Sequence, residues 1–229
     1  SVNIVSGTLS SDKGQAVQKF DVPAASGEKE IVITGGTFST DVTKFLHTGL
    51  TAPKDNDGMF TVQKLSNVYV NGASGKDTNS GANADNAVKT LEQAARLVAD
   101  DGVIYICGQV TVNDVLEIDG VTIERAEGYN GQLIAVDGAS ANLTLSGTTI
   151  NGNKEEGKYN PGGELIFVTN GGTLNVEEGT QLANNNSTAV YVNNKSFFNM
   201  TGGKISGNTT SNNWGGAGIY NCGTTVISG

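Results

Sequence analysis

The chain has 229 residues, a formal net charge of −9 and an isoelectric point near 4.5. An acidic chain without a cluster of Lys and Arg lacks the surface that binds phosphate backbones, so we expect no nucleic-acid partner. No run of about 18 apolar residues occurs, and we expect no membrane insertion within this chain. The 32 Gly residues, set against 3 Pro, are typical of many tight turns between short strands.

Residues 1–64 form the first predicted unit, a small β-rich segment. Strand-like runs lie at Val2–Val5 and Glu30–Thr34, and a turn at Lys54–Gly58 followed by a return strand at Met59–Val62 predicts a hairpin. The pattern ITGGTFSTDV, with FL and DNDGMFTV after it, resembles the segment that closes one strand-coil domain in large bacterial surface proteins. We therefore expect residues 1–64 to be the closing part of a preceding module. The single histidine, His47, is predicted to be a solvated loop residue.

One amphipathic helix is predicted at about residues 85–99, with its body at Ala87–Ala99. Its apolar residues are spaced three and four apart and share one face: Val88, Leu91, Ala94, Ala95 and Val98. Asp85 is the predicted N-cap and Gly102 the predicted stop. A stack of strands has an open end that invites pairing with other chains, and a helix can cover it. We therefore expect this helix to cap the N-terminal end of such a stack.

A repeat of variable length follows the helix. Its first runs are Leu133–Val136, Leu165–Val168, Ala189–Val192 and Ala217–Tyr220, and their starts give steps of 32, 24 and 28 residues. Its second runs are Leu143–Leu145, Leu174–Val176, Phe198–Met200 and Thr225–Ile227, and a third apolar point follows at Ile150, Leu182 and Ile205. This pattern predicts three strands per coil. Insertions at Asn153–Gly163 and Thr209–Gly216 explain the unequal steps.

Alternation with a period of two predicts which side chains face the core. Those expected inside are Leu143, Leu145, Leu174, Val176, Phe198 and Met200, and those expected outside are Thr144, Asn175 and Asn199. The runs Asn184–Asn186, Asn193–Asn194 and Asn212–Asn213 are predicted to lie at corresponding turns of successive coils and to form an asparagine ladder.

Residues 65–229 resemble the right-handed parallel β-helix proteins of the pectate-lyase-like superfamily, in particular the repeat-rich extracellular surface proteins of Gram-positive bacteria. The motifs that carry the resemblance are the opening VYVNGASGKDTNSGANADNAVKTLEQAARLVADDGVIYICG and the repeats GGTLNVEEGTQLANN and GGKISGNTTSNNWGGAGIYNCGTTVISG. The resemblance implies an all-β fold: a right-handed parallel β-helix with three strands per coil and one N-terminal capping α-helix, preceded by a small β-rich segment. We expect the coil to continue beyond Gly229.

The two cysteines, Cys107 and Cys222, lie in the first and last candidate coils. Coils about 4.8 Å apart would separate them well beyond the roughly 7 Å that a disulfide allows between Cα atoms, so free thiols are expected.

The run Gly75–Gly81 lacks the later acidic ligands of a calcium loop, and no metal site or cofactor is predicted.

Carboxylates of the early coils supply the one candidate for catalysis. Glu117 and Asp119 are two apart on one predicted strand and therefore share a face; with Asp114 and Arg125 they form the constellation that a polysaccharide lyase or glycoside hydrolase of this fold would use. A solvated outward face in an acidic protein is the alternative.

The insertions supply the candidates for binding, since loops on a rigid scaffold are free to vary. Trp214, flanked by Asn212 and Asn213, lies in one insertion, and Tyr159 lies in the other. Exposed aromatic side chains beside Asn are typical of sugar-stacking or protein-docking sites, although Trp214 packed over the next coil is an equal alternative.

The resemblance and these residues lead to two hypotheses. The first is a non-catalytic protein, secreted or held at the bacterial cell surface, that presents loops as an adhesin-like module or a stalk to host glycan or extracellular protein. The second is a carbohydrate-active enzyme. The coil alone does not decide between them, because one fold hosts both roles.

Overall fold

The structure of this chain, a computed structural model, describes residues 2–18, 30–154, 162–210 and 216–228. These ranges contain one α-helix, α1 (Leu91–Leu97), and many short strands. The strands are β1 (Val2–Ile4), β2 (Thr8–Leu9), β3 (Ile31–Ile33), β4 (Thr37–Phe38), β5 (Phe60–Thr61), β6 (Leu65–Asn71), β7 (Val98–Gly108), β8 (Val110–Val112), β9 (Val115–Asp119), β10 (Thr122–Arg125), β11 (Ile134–Asp137), β12 (Asn142–Ser146), β13 (Thr149–Asn151), β14 (Ile166–Thr169), β15 (Thr173–Val176), β16 (Gln181–Ala183), β17 (Val190–Val192), β18 (Phe197–Met200), β19 (Lys204–Ser206), β20 (Ile219–Asn221) and β21 (Thr224–Ile227).

Three parallel sheets organise the chain from Leu65 onward. Sheet 1 has six strands in the order β6, β7, β10, β13, β16, β19; sheet 2 has five, in the order β8, β11, β14, β17, β20; and sheet 3 has five, in the order β9, β12, β15, β18, β21. From β7 on, each strand pairs with the strand three positions later in the chain, so the chain visits the sheets in turn. This topology fits a parallel β-helix and confirms the predicted three-run repeat.

The predicted alternation is confirmed in sheet 3, on β12, β15 and β18. Five of the six side chains predicted to face the core are fully buried, namely Leu143, Leu145, Leu174, Val176 and Phe198, and Met200 is partly buried. Identical positions stack because each pair of strands is in register, as Leu143 is with Leu174 and Leu174 with Phe198. The buried apolar residues form one cluster, which reaches from Val17 of the N-terminal segment through the stacked sheets to Phe198.

One step of the repeat was wrong by one residue. Ile134 pairs with Ile166 and Ile166 with Val190, as the steps of 32 and 24 require. Val190 then pairs with Ile219, a step of 29 rather than 28. Aligning Ala217 with Ala189 had placed Gly218 against Val190, and a slip of one residue moves every side chain to the opposite face of the sheet.

The N-terminal segment forms two small sheets. β1 pairs in parallel with β3, β2 pairs in parallel with β4, and β4 pairs in antiparallel fashion with β5. The predicted hairpin is confirmed: Lys54 bridges Phe60, and the Asp55 carboxylate accepts hydrogen bonds from the backbone N–H groups of Asp57 and Met59. The boundary after Lys64 and the origin of this segment in a preceding module stay predictions.

The helix is shorter than predicted, and it begins at a different cap. Asp85 lies in a separate 3-10 turn, Ala84–Asn86, and α1 begins after Thr90, whose side chain accepts a hydrogen bond from the backbone N–H of Gln93. The reason is that Val88 is held in extended backbone by a parallel bridge to Val70 in β6. An apolar residue at helical spacing therefore belongs to the strand stack instead.

Gly102 does not end the helix. Backbone at Val98 is already extended, because β7 starts there and pairs with Leu65 of β6. Gly102 instead lies inside β7, where a Cβ atom would approach the Ser66 carbonyl oxygen to 2.8 Å. The helix buries Leu91, Ala94 and Leu97 beside β6, β7 and β8. In the described ranges no helix is long and apolar enough to cross a membrane.

His47 is buried, which corrects the prediction of a solvated loop residue. Its side chain is 8% exposed, and its two ring nitrogens lie 2.9 Å from the Thr48 carbonyl oxygen and 2.7 Å from that of Asp77. His47 therefore joins the N-terminal segment to the loop that precedes α1. No local pattern in the sequence signals this contact, because its partner lies 30 residues away.

Candidate functional site

The predicted carboxylates lie on the outside of the stack. Glu117 and Asp119 are exposed on β9 in sheet 3, on one face as predicted, and Asp114 is exposed just before that strand. The Asp119 carboxylate accepts a hydrogen bond of 2.9 Å from the Ser146 hydroxyl of the next strand. Asp114 lines a shallow depression of about 90 Å³ beside the start of α1. Whether this group performs chemistry stays a prediction.

Arg125, the fourth member of that constellation, lies elsewhere. It ends β10 in sheet 1, and only 2% of its surface is exposed. Its Nε donates to the Gly152 carbonyl oxygen (3.0 Å), its Nη1 to that of Gly131, and its Nη2 to that of Gly163 (2.9 Å). A further hydrogen bond of 3.1 Å runs from Nη2 to the Asn185 side-chain oxygen.

Arg125 lies at the corner between sheets 1 and 2. We call Arg125 together with these four hydrogen bonds the clasp. Gly152 directly precedes the insertion Asn153–Gly163 and Gly163 ends it, so one guanidinium contacts the chain on both sides of this insertion. Asn185 reinforces the clasp by donating to the same Gly163 carbonyl oxygen (3.0 Å). Burial lowers the pKa of Arg125, and the electrostatic effects of Tyr129 and Glu164 act in the opposite direction.

The loop residues predicted for binding lie outside the described residues. Tyr159 falls in residues 155–161, and Asn212, Asn213 and Trp214 fall in residues 211–215. Their predicted role therefore stays a prediction. Both insertions connect sheet 1 to sheet 2, at the corner that Arg125 holds.

The predicted asparagine ladder is wrong for the two runs that the structure describes, and the run Asn212–Asn213 lies outside the described residues. Asn184 follows β16 in sheet 1 and Asn193 follows β17 in sheet 2, so these two runs lie at different corners. The ladder instead runs along sheet 3. The Asn175 amide donates to the Asn142 side-chain oxygen (2.8 Å), and the Asn199 amide donates to that of Asn175 (3.0 Å).

Sheet 2 carries a column of aromatic side chains that the sequence analysis did not single out. Phe167, Tyr191 and Tyr220 are in register on β14, β17 and β20. Ring centroids lie 5.1 Å apart between Phe167 and Tyr191 and 4.9 Å apart between Tyr191 and Tyr220, close to the spacing of neighbouring strands. We call these three residues the aromatic column.

The aromatic column faces outward. On β14 and β17, the residues on either side of each ring are fully buried, namely Ile166, Val168, Val190 and Val192, whereas the rings themselves are partly exposed. The Tyr191–Tyr220 pair is stacked at 24° and the Phe167–Tyr191 pair is tilted at 52°, so the column presents ring edges as well as parts of ring faces. It is therefore a ridge with both apolar and hydroxyl-bearing surface.

Polar groups flank the column. Cys222, an exposed free thiol directly after β20, interacts with the Tyr191 hydroxyl, and burial followed by this interaction raises the pKa of Tyr191. Glu164, directly before β14, also raises this pKa, and its carboxylate accepts a hydrogen bond of 2.8 Å from the Gln132 amide. Both cysteines are free, as predicted.

One signal in the sequence marks the column. Phe167 and Tyr191 each occupy the third position of a first run, between two buried aliphatic residues. The predicted fourth run aligned Tyr220 with the buried residues Val168 and Val192 instead of with Phe167 and Tyr191. This error of one residue concealed the row of three aromatic side chains. With the observed step of 29 residues, alternation alone puts all three rings on one outer face.

A second aromatic pair lies on sheet 1. Tyr69 of β6 and Tyr105 of β7 stack with centroids 5.1 Å apart. The next residue in register is Glu124 of β10, so the row becomes acidic after two rings. This pair serves as a natural comparison for the aromatic column, because both contain a stacked pair of tyrosines on the outer face of a parallel sheet.

The described residues hold no group of three or more His, Cys, Asp and Glu side chains arranged to bind a metal ion. Comparisons with known protein families, curated proteins and solved structures found no match for this chain. The function therefore has to be inferred from the residues themselves.

Proposed function

We propose that this chain is a non-catalytic module of an extracellular bacterial protein, secreted or held at the cell surface, that binds host glycan or extracellular protein. The fold that we propose for it is a right-handed β-helix of the pectate-lyase-like type, in which α1 caps the first end of the stack. The observation that carries the binding role is the aromatic column of Phe167, Tyr191 and Tyr220.

A rigid row of aromatic side chains that includes two tyrosines suits recognition. Tyr offers a large amphipathic contact area and loses little conformational entropy when it binds, and residues of this kind dominate many interfaces. Stacking in register already orders the three rings, which lowers the cost of binding further. The insertions that carry Tyr159 and Trp214 connect to this same sheet, and we propose that they add contacts beside the column.

The non-catalytic role is supported by the place of Arg125. A polysaccharide lyase of this fold would need a cationic group beside Glu117 and Asp119, but this guanidinium is buried at the corner of sheets 1 and 2. Its hydrogen bonds go to three backbone carbonyl oxygens and an amide oxygen. Such an arrangement favours a structural role for Arg125.

The test is a glycan and extracellular-protein array with four forms of the chain. The double variant Tyr191→Ala/Tyr220→Ala removes two rings of the column, and Tyr69→Ala/Tyr105→Ala is its matched control on sheet 1. Trp214→Ala tests the insertion. We expect the array to contain ligands that bind both the native chain and the sheet 1 control. The variant that lacks the two tyrosines of the column should bind these ligands at least about tenfold more weakly.

The same array samples are checked for glycan cleavage, with Glu117→Ala/Asp119→Ala as a further variant. Equal binding by the column variant and the native chain would contradict the column as the site. Cleavage that the acidic double variant abolishes would overturn the non-catalytic proposal and favour the carbohydrate-active enzyme.

A further inference from the structure

A second site lies far from the column, where the N-terminal segment meets α1. His47 fixes this junction, since both of its ring nitrogens lie against carbonyl oxygens, that of Thr48 on its own side and that of Asp77 on the other. Gly49 adds a close approach, because a Cβ atom there would lie 2.8 Å from the Ser80 Cβ. The two regions are therefore held in one arrangement.

Asp77 extends this junction to the helix. Its carboxylate accepts hydrogen bonds from the backbone N–H groups of Lys89 and Thr90, each 2.9 Å long, and from the Thr90 hydroxyl at 3.1 Å. Thr90 in turn caps α1. The position of the first helical turn is thus set by the same loop that contacts His47.

Between these fixed parts lies a cleft of about 260 Å³. The polar side chains that matter for binding are Asn3, Glu30 and Lys44 from the N-terminal segment, and Gln93 and Arg96 from α1. The apolar residues Ile31 and Phe45 complete one wall. This volume suits a ligand somewhat smaller than a drug-sized molecule, for which pockets of roughly 300 Å³ and above are usual.

Gln93 is the most informative residue of the cleft. Its side chain is 91% buried, since its exposed fraction is 9%. The backbone N–H of Gln93 donates a hydrogen bond to the Thr90 hydroxyl oxygen. The side-chain amide of Gln93 has no hydrogen-bond partner among the described residues. Its amide atoms keep some contact with solvent, so they are available to a ligand in the cleft.

Two cationic side chains, Lys44 and Arg96, line this cleft. An Arg side chain has five N–H donors and a Lys side chain three. Arg96 uses one contact on Glu92 (2.6 Å), and Lys44 makes one long contact to the Gln15 amide oxygen (3.5 Å) while its ammonium group lies 4.7 Å from the Phe45 ring centroid. The carboxylate of Asp77 is already occupied, and Glu30 is exposed.

We propose that this cleft binds a small carboxylate-bearing molecule, held by Lys44 on one side and Arg96 on the other, with the Gln93 amide as a further hydrogen-bond partner. Charge-assisted hydrogen bonds from two cations make a carboxylate the best match, although the chain as a whole is acidic. A uronic acid and an acylated amino acid both carry this group. The site is independent of the aromatic column.

The test is a ligand-observed NMR titration of the native 229-residue chain with two acids and their neutral counterparts. Glucuronate is compared with glucose, and N-acetylglycine with N-acetylglycinamide. We expect at least one acid to bind and its neutral counterpart not to bind. Binding should weaken as salt is added, since the cations of the cleft are partly exposed.

Variants locate the binding. Lys44→Gln and Arg96→Gln should each raise the dissociation constant about tenfold, as the loss of one charge-assisted contact predicts. Lys54→Gln is the matched control, because Lys54 also lies over an aromatic ring of the N-terminal segment, that of Phe60, and does not line the cleft. Its affinity should equal that of the native chain.

Three results would overturn the proposal: neither acid binds, the neutral molecules bind as well as the acids, or the cleft variants bind the acids with native affinity. Lys44 is exposed, so its variant keeps the fold and remains a fair test even where the Arg96 variant loses stability. Thermal unfolding of every variant checks this directly.

Discussion

The outer faces of sheets 2 and 3 differ although their backbones follow one rule. Both sheets are parallel and in register, so a residue type that recurs at one position forms a row along the stack. In sheet 3 the row is the asparagine ladder of Asn142, Asn175 and Asn199, whose amides are hydrogen-bonded to one another. In sheet 2 it is the aromatic column, whose rings pack on each other but keep outward edges free.

The difference teaches which row is available to a partner. In the asparagine ladder, many of the amide donors and acceptors are already hydrogen-bonded within the protein. The ladder therefore mainly stabilises the stack. Rings that stack gain packing energy without using their outer edges or the Tyr220 hydroxyl. A shared backbone therefore yields one row for stability and one suited to recognition.

The largest expected effect comes from breaking the corner that leads into sheet 2. Arg125→Leu should lower the free energy of unfolding by about 3–5 kcal/mol, because it leaves the carbonyl oxygens of Gly131 and Gly152 without a side-chain donor and removes one of the two donors to that of Gly163. Urea unfolding measures this. Arg96→Leu is the control, since its ion pair with Glu92 is partly exposed and should contribute less than about 1 kcal/mol. Equal losses in the two variants would contradict the clasp.

A smaller effect separates the two rows directly. Asn175→Ala and Tyr191→Ala should each lower the free energy of unfolding by about 1–3 kcal/mol, the first through lost hydrogen bonds and the second through lost ring packing. Only Tyr191→Ala should reduce binding to ligands found on the array. Urea unfolding and binding titrations of the same preparations test this pair, and loss of binding in Asn175→Ala alone would reverse the assignment of the rows.

The smallest effect is a dependence on pH at the aromatic column. Burial raises the pKa of Tyr191, so the folded chain keeps this proton at a pH where the unfolded chain, with a Tyr pKa of about 10, has lost it. The folded state then binds more protons than the unfolded state, and stability falls as pH rises from about 10 through the folded value. Below about pH 10 both states are protonated, and no loss is expected.

Tyr191→Phe tests this pH dependence, because it removes the hydroxyl and keeps the ring. The variant should lose less stability than the native chain between neutral pH and the alkaline range, and its ultraviolet tyrosinate titration should lack one late-ionising group. An unchanged alkaline loss in the variant would assign the effect to other groups, such as Tyr105, whose pKa burial also raises.

The sequence predicted those features of the fold that depend on neighbouring residues. Period-two alternation identified the inward side chains of sheet 3, and the recurrence of three runs identified three strands per repeat. It also placed the hairpin at Lys54–Gly58 and the helix near α1, although the helix was too long at both ends. Val88 and Val98 fit a helical period, but both residues pair with β6 in extended backbone and therefore lie outside α1.

Contacts between distant residues were decided by the tertiary structure alone. The pairing of Val190 with Ile219 fixes which face carries Tyr220, and a repeat alignment was wrong there because Ala217 resembles Ala189 locally. Arg125 gained its role from carbonyl oxygens that only coiling brings to it, and His47 from a carbonyl oxygen 30 residues away. Local patterns encode which residues prefer a strand or the core, whereas register and polar contacts across coils depend on the packing of the whole stack.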